Sequence, residues 1–266
     1  MKVFIDAHAH LDRYEDALDA ALAEIERHGI LTVSNSMDVG SYQRNREIAG
    51  RCEWVLPTFG VHPWNAVEYV DHLGDLHAWV EESPMLGEVG LDYHFVEDAS
   101  QYPAQRKVFE FFLRAAKEQN KIVSLHTKGA ERDILHLLER HDIERVIVHW
   151  YSGPLDVFHE LLARGFYFTI GIEVRYSRHI QLIAREVPLA QLLTETDNPG
   201  GPRSLIGKPG MPMLIRDVVE TLAELRGTSA EAVVEAVQSN FAECIWDDPW
   251  LSETYGGLLA SRRVSS

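Results

Sequence analysis

The chain has 266 residues, 45% of them apolar and 25% charged, a composition that suits a globular protein with a sizeable core. Lys and Arg number 25 against 41 Asp and Glu, so the net charge is −16 with histidine neutral, which opposes adhesion to phosphate backbones over a broad surface. No run approaches the roughly 20 apolar residues of a membrane span, and none has the form of a signal peptide, so a cytoplasmic chain without membrane segments is expected.

Short β-branched and aliphatic runs recur along the chain with amphipathic stretches between them. They predict strands over residues 3–10, 30–37, 55–62, 85–92, 121–128, 145–152, 166–173 and 192–199. Strings such as Val146-Ile147-Val148 have the continuous apolar character of parallel strands buried on both faces. Helices are predicted over 16–28, ending before Gly29, and over 104–120 and 130–141. After the eighth strand, residues 198–210 are so rich in Pro and Gly that an irregular loop is expected, and loops of this length often serve an active site. Two more helices follow, over 211–226 and 229–245, with Gly227 as the C-terminal cap residue and Thr228 or Ser229 as the next N-cap. Eight strand-then-helix units predict an α/β fold of the (β/α)₈ TIM-barrel class, a single domain over 1–245 with a C-terminal tail over 246–266 whose last residues, 262–266, fray. Cys52 and Cys244 provide neither a disulfide framework nor a zinc knuckle.

Ionisable residues gather where the predicted strands end. Strand alternation puts His8 and His10 on one face of the first strand, the fourth delivers Glu88, the fifth His126, the sixth His149 and the eighth Asp197. Each has an ordinary reading: a core histidine with backbone partners, Glu88 paired with Arg106 or Lys107, or Asp197 starting a turn. Five strand ends carrying metal-competent groups are harder to explain that way, because burying such groups unpaired costs several kcal/mol. Imidazole nitrogens suit borderline divalent ions, and a carboxylate between two ions can bridge them, so the inventory fits a binuclear centre.

The segments Phe4-Ile5-Asp6-Ala7-His8-Ala9-His10-Leu11-Asp12, Gly60-Val61-His62-Pro63, Gly87-Glu88-Val89-Gly90-Leu91-Asp92-Tyr93, Ser124-Leu125-His126, His149-Trp150-Tyr151-Ser152-Gly153 and Thr194-Glu195-Thr196-Asp197-Asn198-Pro199 resemble, in order, the motifs of the TatD family of metal-dependent hydrolases, in the amidohydrolase superfamily. The resemblance implies one ion on His8, His10 and Asp197, another on His126 and His149, and Glu88 as the bridge. It also implies phosphodiester hydrolysis, often of DNA. Lys128 stands where the family often has arginine, Trp150-Tyr151 replaces the more usual pair of a small residue and a phenylalanine, and Gly200 stands where an aromatic residue is common.

The mechanism expected from this placement has Glu88 and Asp197 as catalytic residues, with two divalent ions (Zn, Mn, Co, Ni or Mg) lowering the pKa of a shared water toward about 7 and Asp197 taking its proton. His62, Lys128 and Arg203, and more weakly Lys208, are expected against phosphate oxygens of a DNA or small phosphodiester substrate. His62 also suits a capped strand end, and Trp64 and Trp150 suit either base stacking or packing. No obligate protein partner is expected. The same centre would serve an amide, ester or lactone hydrolase, and a third reading is a catalytically silent metal-binding protein.

Overall fold

In the computed structural model, which describes residues 2–260, the apolar runs form eight strands: β1 Phe4–Ala9, β2 Ile30–Asn35, β3 Val55–Thr58, β4 Leu86–Gly90, β5 Val123–His126, β6 Val146–Val148, β7 Tyr167–Ile170 and β8 Leu192–Thr194. They are shorter than predicted because their carboxyl ends pass early into loops, where several of the polar residues sit. The predicted helices are present, and Val39–Ala49, Leu155–Ala163 and Arg178–Glu186 continue the alternation. The first long helix is Leu18–His28, entered through a 3₁₀ turn over Glu15–Ala17 and closed by Gly29 in the left-handed conformation. Gly227 closes Leu214–Arg226 in the same way, and Ser229, rather than Thr228, caps the following helix through Ala232 N.

The described residues fall into two compact units, 2–34 with 47–56 and 168–260, and 35–46 with 57–167. In the first, β1 pairs in parallel with β2 and β7 with β8, and Ile5, Ala7, Ala9, Ile30, Leu31, Val33, Leu192 and Leu193 are all buried. β8 lies against β1, where Thr194 Oγ1 donates to Ile5 O at 2.6 Å. In the second, β4, β5 and β6 pair in parallel, with a further bridge from Phe59 to Leu86. Phe109, Phe112 and Leu113 of the helix Tyr102–Gln119 are buried in that unit's core.

One expectation needs correction. The 198–210 segment is not wholly irregular, since Arg203–Ile206 forms one helical turn between Pro202, whose fixed φ suits a helix start, and Gly207 in the left-handed region. The tail holds a helix, Pro249–Ala260, with Leu251, Tyr255 and Leu259 buried along one face. Asp248 caps it by accepting from Leu251 N at 2.9 Å, and Tyr255 Oη donates to Val55 O at 2.9 Å. Residues 262–266, expected to fray, lie outside the described residues. No helix among the described residues is long and apolar enough to cross a membrane.

Candidate metal centre

In the first unit, the end of β8 is tied to β1 by backbone and side-chain hydrogen bonds. Asp197 N donates to His8 O at 2.8 Å, and His10 N donates to Asn198 O at 2.7 Å. Buried Asp6 accepts from Thr196 N at 2.8 Å and from Thr196 Oγ1 at 2.6 Å. Burial, with Glu195 nearby and despite those hydrogen bonds, pushes the Asp6 carboxyl up to about 8. The turn so fixed holds Asp197 in the left-handed region (φ 53°), which aspartate tolerates better than most residues. Its Oδ1 lies 3.3 Å from His10 Nε2 and 4.0 Å from His8 Nε2. A Cβ on Gly201 would overlap this carboxylate, so the second glycine of the pair is required by close approach. Sequence alternation and structure agree that His8 and His10 face the same way, and their rings meet edge to face at 5.1 Å.

In the second unit, Glu88 projects from β4 as a buried carboxylate. Its Oε1 lies 2.8 Å from His126 Nδ1, 3.5 Å from His62 Nε2 and 3.5 Å from His149 Nε2. The ordinary reading of Glu88 fails, because Arg106 pairs with Glu110 and Lys107 with Asp71. His126 ends β5, and His149 follows β6. His62 does two things: Nδ1 accepts from Trp64 N at 3.2 Å and caps the turn Pro63–Asn65, while Nε2 lies 3.2 Å from His126 Nδ1. One ligand atom each from His62, Glu88 and His126 all lie within 4.8 Å of one another.

Asp92, which strand periodicity does not single out, is central to this cluster. Its Oδ2 accepts from His126 Nε2 at 2.9 Å and from Trp64 Nε1 at 2.8 Å, while Oδ1 accepts from His94 N at 2.9 Å and Phe95 N at 2.7 Å. Gln105 brackets its backbone from the helix Tyr102–Gln119, accepting from Asp92 N at 2.9 Å and donating to Asp92 O at 3.1 Å. Burial opposes ionisation of Asp92, but the hydrogen bonds from His126, Phe95 N and Trp64 outweigh it and hold the carboxyl well below its usual range. Burial likewise opposes a charged His126, and its contacts with Asp92 and Glu88 outweigh that and raise its pKa.

The chemistry of this donor set tests whether a divalent ion fits. His126 has a carboxylate oxygen at each ring nitrogen, and a neutral imidazole has only one N–H to give. With Nε2 donating to Asp92, the Nδ1 side, where Glu88 and His62 converge, calls for a cation: a proton, or a metal ion held by nitrogen and oxygen ligands. Buried imidazoles around a carboxylate suit a borderline divalent ion, and a ligating histidine whose other nitrogen donates to a carboxylate is the usual supporting arrangement. The residues fit the group.

The expected phosphate contacts are arranged differently from one another. His62 lies inside the Glu88 cluster. Lys128 gives its ammonium to Trp150 O at 2.6 Å and Ser152 Oγ at 2.9 Å, and lies 5.6 Å from the centroid of the Trp150 ring. Arg203 and Lys208 are exposed on the segment after β8.

The chain matches the sequence profile described as TatD related DNase over residues 5–245. It is 29% identical to YcfH of Escherichia coli K12, an uncharacterized metal-dependent hydrolase, over 90% of this chain and 94% of that one. It is 28% identical to the human deoxyribonuclease TATDN3, over 89% and 92% of the two chains respectively. The crystal structure of the E. coli TatD homolog YjjV superposes with a TM-score of 0.82 at 26% identity, covering 91% of this chain and 97% of that one. A phosphotriesterase homology protein from E. coli shares the fold at 14% identity and a TM-score of 0.65. These likenesses bear out the (β/α)₈ class expected from the sequence.

Proposed function

The chain belongs to the TatD-related DNase family, and from that premise we propose that it is a metal-dependent phosphodiesterase acting on single-stranded DNA or strand ends. A net charge of −16 disfavours wrapping of a duplex, so engagement local to the site is the reading the composition supports. The observation that carries the reaction class is the convergence of His62, His126 and His149 on one oxygen of Glu88.

The proposal assigns two divalent ions to the ligand set implied by the family resemblance. Bound there, they supply Lewis acidity toward a phosphoryl oxygen and lower the pKa of water. The protein's own groups do the rest. Asp92 fixes the ring orientation of His126 and keeps Nδ1 turned toward Glu88. The Asp6–Thr196 hydrogen bonds and the two backbone links to β1 fix Asp197, whose carboxylate accepts the proton of the attacking water and passes it toward the leaving oxygen. Burial of Glu88 and the histidines keeps competing water away from those atoms.

A substrate panel tests this reading: single-stranded DNA, a chromogenic phosphodiester and a chromogenic carboxylic ester, each with the metal-reconstituted protein and with chelator. Metal-dependent turnover of the first two is expected. Turnover of the carboxylic ester alone would transfer the protein to a different hydrolytic class.

A further inference from the structure

Large aromatic side chains seldom stand exposed side by side without a use. Trp64 is 46% exposed and Phe95 is 58% exposed, and their rings meet edge to face at 6.0 Å, with an interplanar angle of 80°. Both are pinned by Asp92, through the indole Nε1 and through Phe95 N respectively. Trp64 also meets His62 at 4.6 Å and His126 at 6.4 Å between ring centroids, edge to face in each case. One buried carboxylate thus holds His126 and Trp64 through the same oxygen and the Phe95 backbone through the other. Among the described residues no ring stacks face to face on Trp64 or Phe95.

We propose that Trp64, with Phe95 standing edge-on beside it, forms a stacking platform for a nucleobase of the substrate strand, so that Trp64 is a substrate-binding residue. The inference rests on the phosphodiesterase reading above and deepens it. A chain of net charge −16 gains little from general attraction to a phosphate backbone, and the Lys128 ammonium is already engaged with Trp150 O and Ser152 Oγ. Affinity for a strand then has to come from elsewhere, and a base presents a flat face whatever its identity. A platform held through Asp92 places that base beside His126 without needing sequence readout.

The probe is a pair of fluorescently labelled single strands of equal length, one bearing thymine bases and one abasic, titrated at low salt against chelator-treated protein. Both carry the same phosphates, so charge repulsion cancels in the comparison. Wild type is expected to bind the base-bearing strand about tenfold or more tighter. Trp64→Ala is expected to abolish that preference. Trp64→Phe, which keeps a flat ring but loses the N–H to Asp92, is expected to retain most of it, separating stacking from the hydrogen bond. Equal affinities of wild type for the two strands, no measurable binding of either, or a preference that survives Trp64→Ala would overturn the platform. Hydrolysis is measured separately. Failure to cut either strand sinks the phosphodiesterase reading, while a Trp64-dependent preference in binding still upholds the platform.

Discussion

His126 Nε2 donates to Asp92 Oδ2 at 2.9 Å, and neither side chain has appreciable contact with solvent. Buried pairs of this kind set the tautomer and basicity of a ligating histidine, and losing such a partner typically costs 10–100-fold in metal affinity. Asp92→Asn keeps the shape and an oxygen for His94 N and Phe95 N. Its amide, however, meets the N–H groups of His126 and Trp64 with weaker acceptance or with its own donors. Metal affinity measured by competition with a calibrated chelator is expected to fall by about that factor. Unchanged affinity would mean that Asp92 serves the loop alone.

The same pair gives the metal-free protein a defined pH signature. His126, raised above its usual 6.5, contributes stability that is fully present below 6.5 and lost as the pH rises through its raised pKa. Asp92, lowered from its usual 3.8, contributes stability present above 3.8 and lost as the pH falls toward its lowered pKa. The difference in Tm between wild type and Asp92→Asn, both metal-free, is therefore expected to be largest between these two values. A difference that grows steadily above neutral pH would contradict the pairing.

Proton and metal compete for the same ring nitrogens. At neutral pH, close to two divalent ions per chain are expected after reconstitution, with occupancy falling below pH about 6 as the histidines protonate. Elemental analysis of dialysed samples across pH measures this directly. No bound ion at pH 7 would remove the centre.

The C-terminal helix is expected to contribute to stability. Tyr255→Phe removes a buried hydrogen bond to Val55 O, a change expected to cost about 1 kcal/mol in urea unfolding. A neutral substitution would mean that this contact adds no net stability.

The contrast between these residues shows what the sequence made legible. His8, His10, Glu88, His126, His149 and Asp197 could be picked out because strand periodicity and chain order place polar groups where aliphatic ones belong. Asp92 could not, since its role depends on Gln105, Trp64 and two backbone amides converging on it, none of which periodicity encodes. The signals available were its place in the motif over residues 87–93 and a carboxylate just beyond the end of β4, beside Leu91. His62 suits a phosphate contact or a strand-end cap in the sequence; β3 ends earlier, at Thr58, and His62 instead caps the turn Pro63–Asn65 while its other nitrogen reaches the Glu88 cluster. The helix Pro249–Ala260 had a readable start in Asp248-Pro249, but its aromatic and Gly256-Gly257 content masked the periodic face.

The central claim is that Asp197 moves the proton of the attacking water, and Asp197→Asn tests it most directly. Asparagine favours turns as aspartate does, yet its amide cannot accept that proton. Turnover of a chromogenic phosphodiester by the reconstituted variant is expected to fall by about 10²- to 10⁴-fold. Its metal-free form is expected to melt no lower than the metal-free wild type, because a partly buried carboxylate is removed. Near-normal turnover at full metal occupancy would contradict the account.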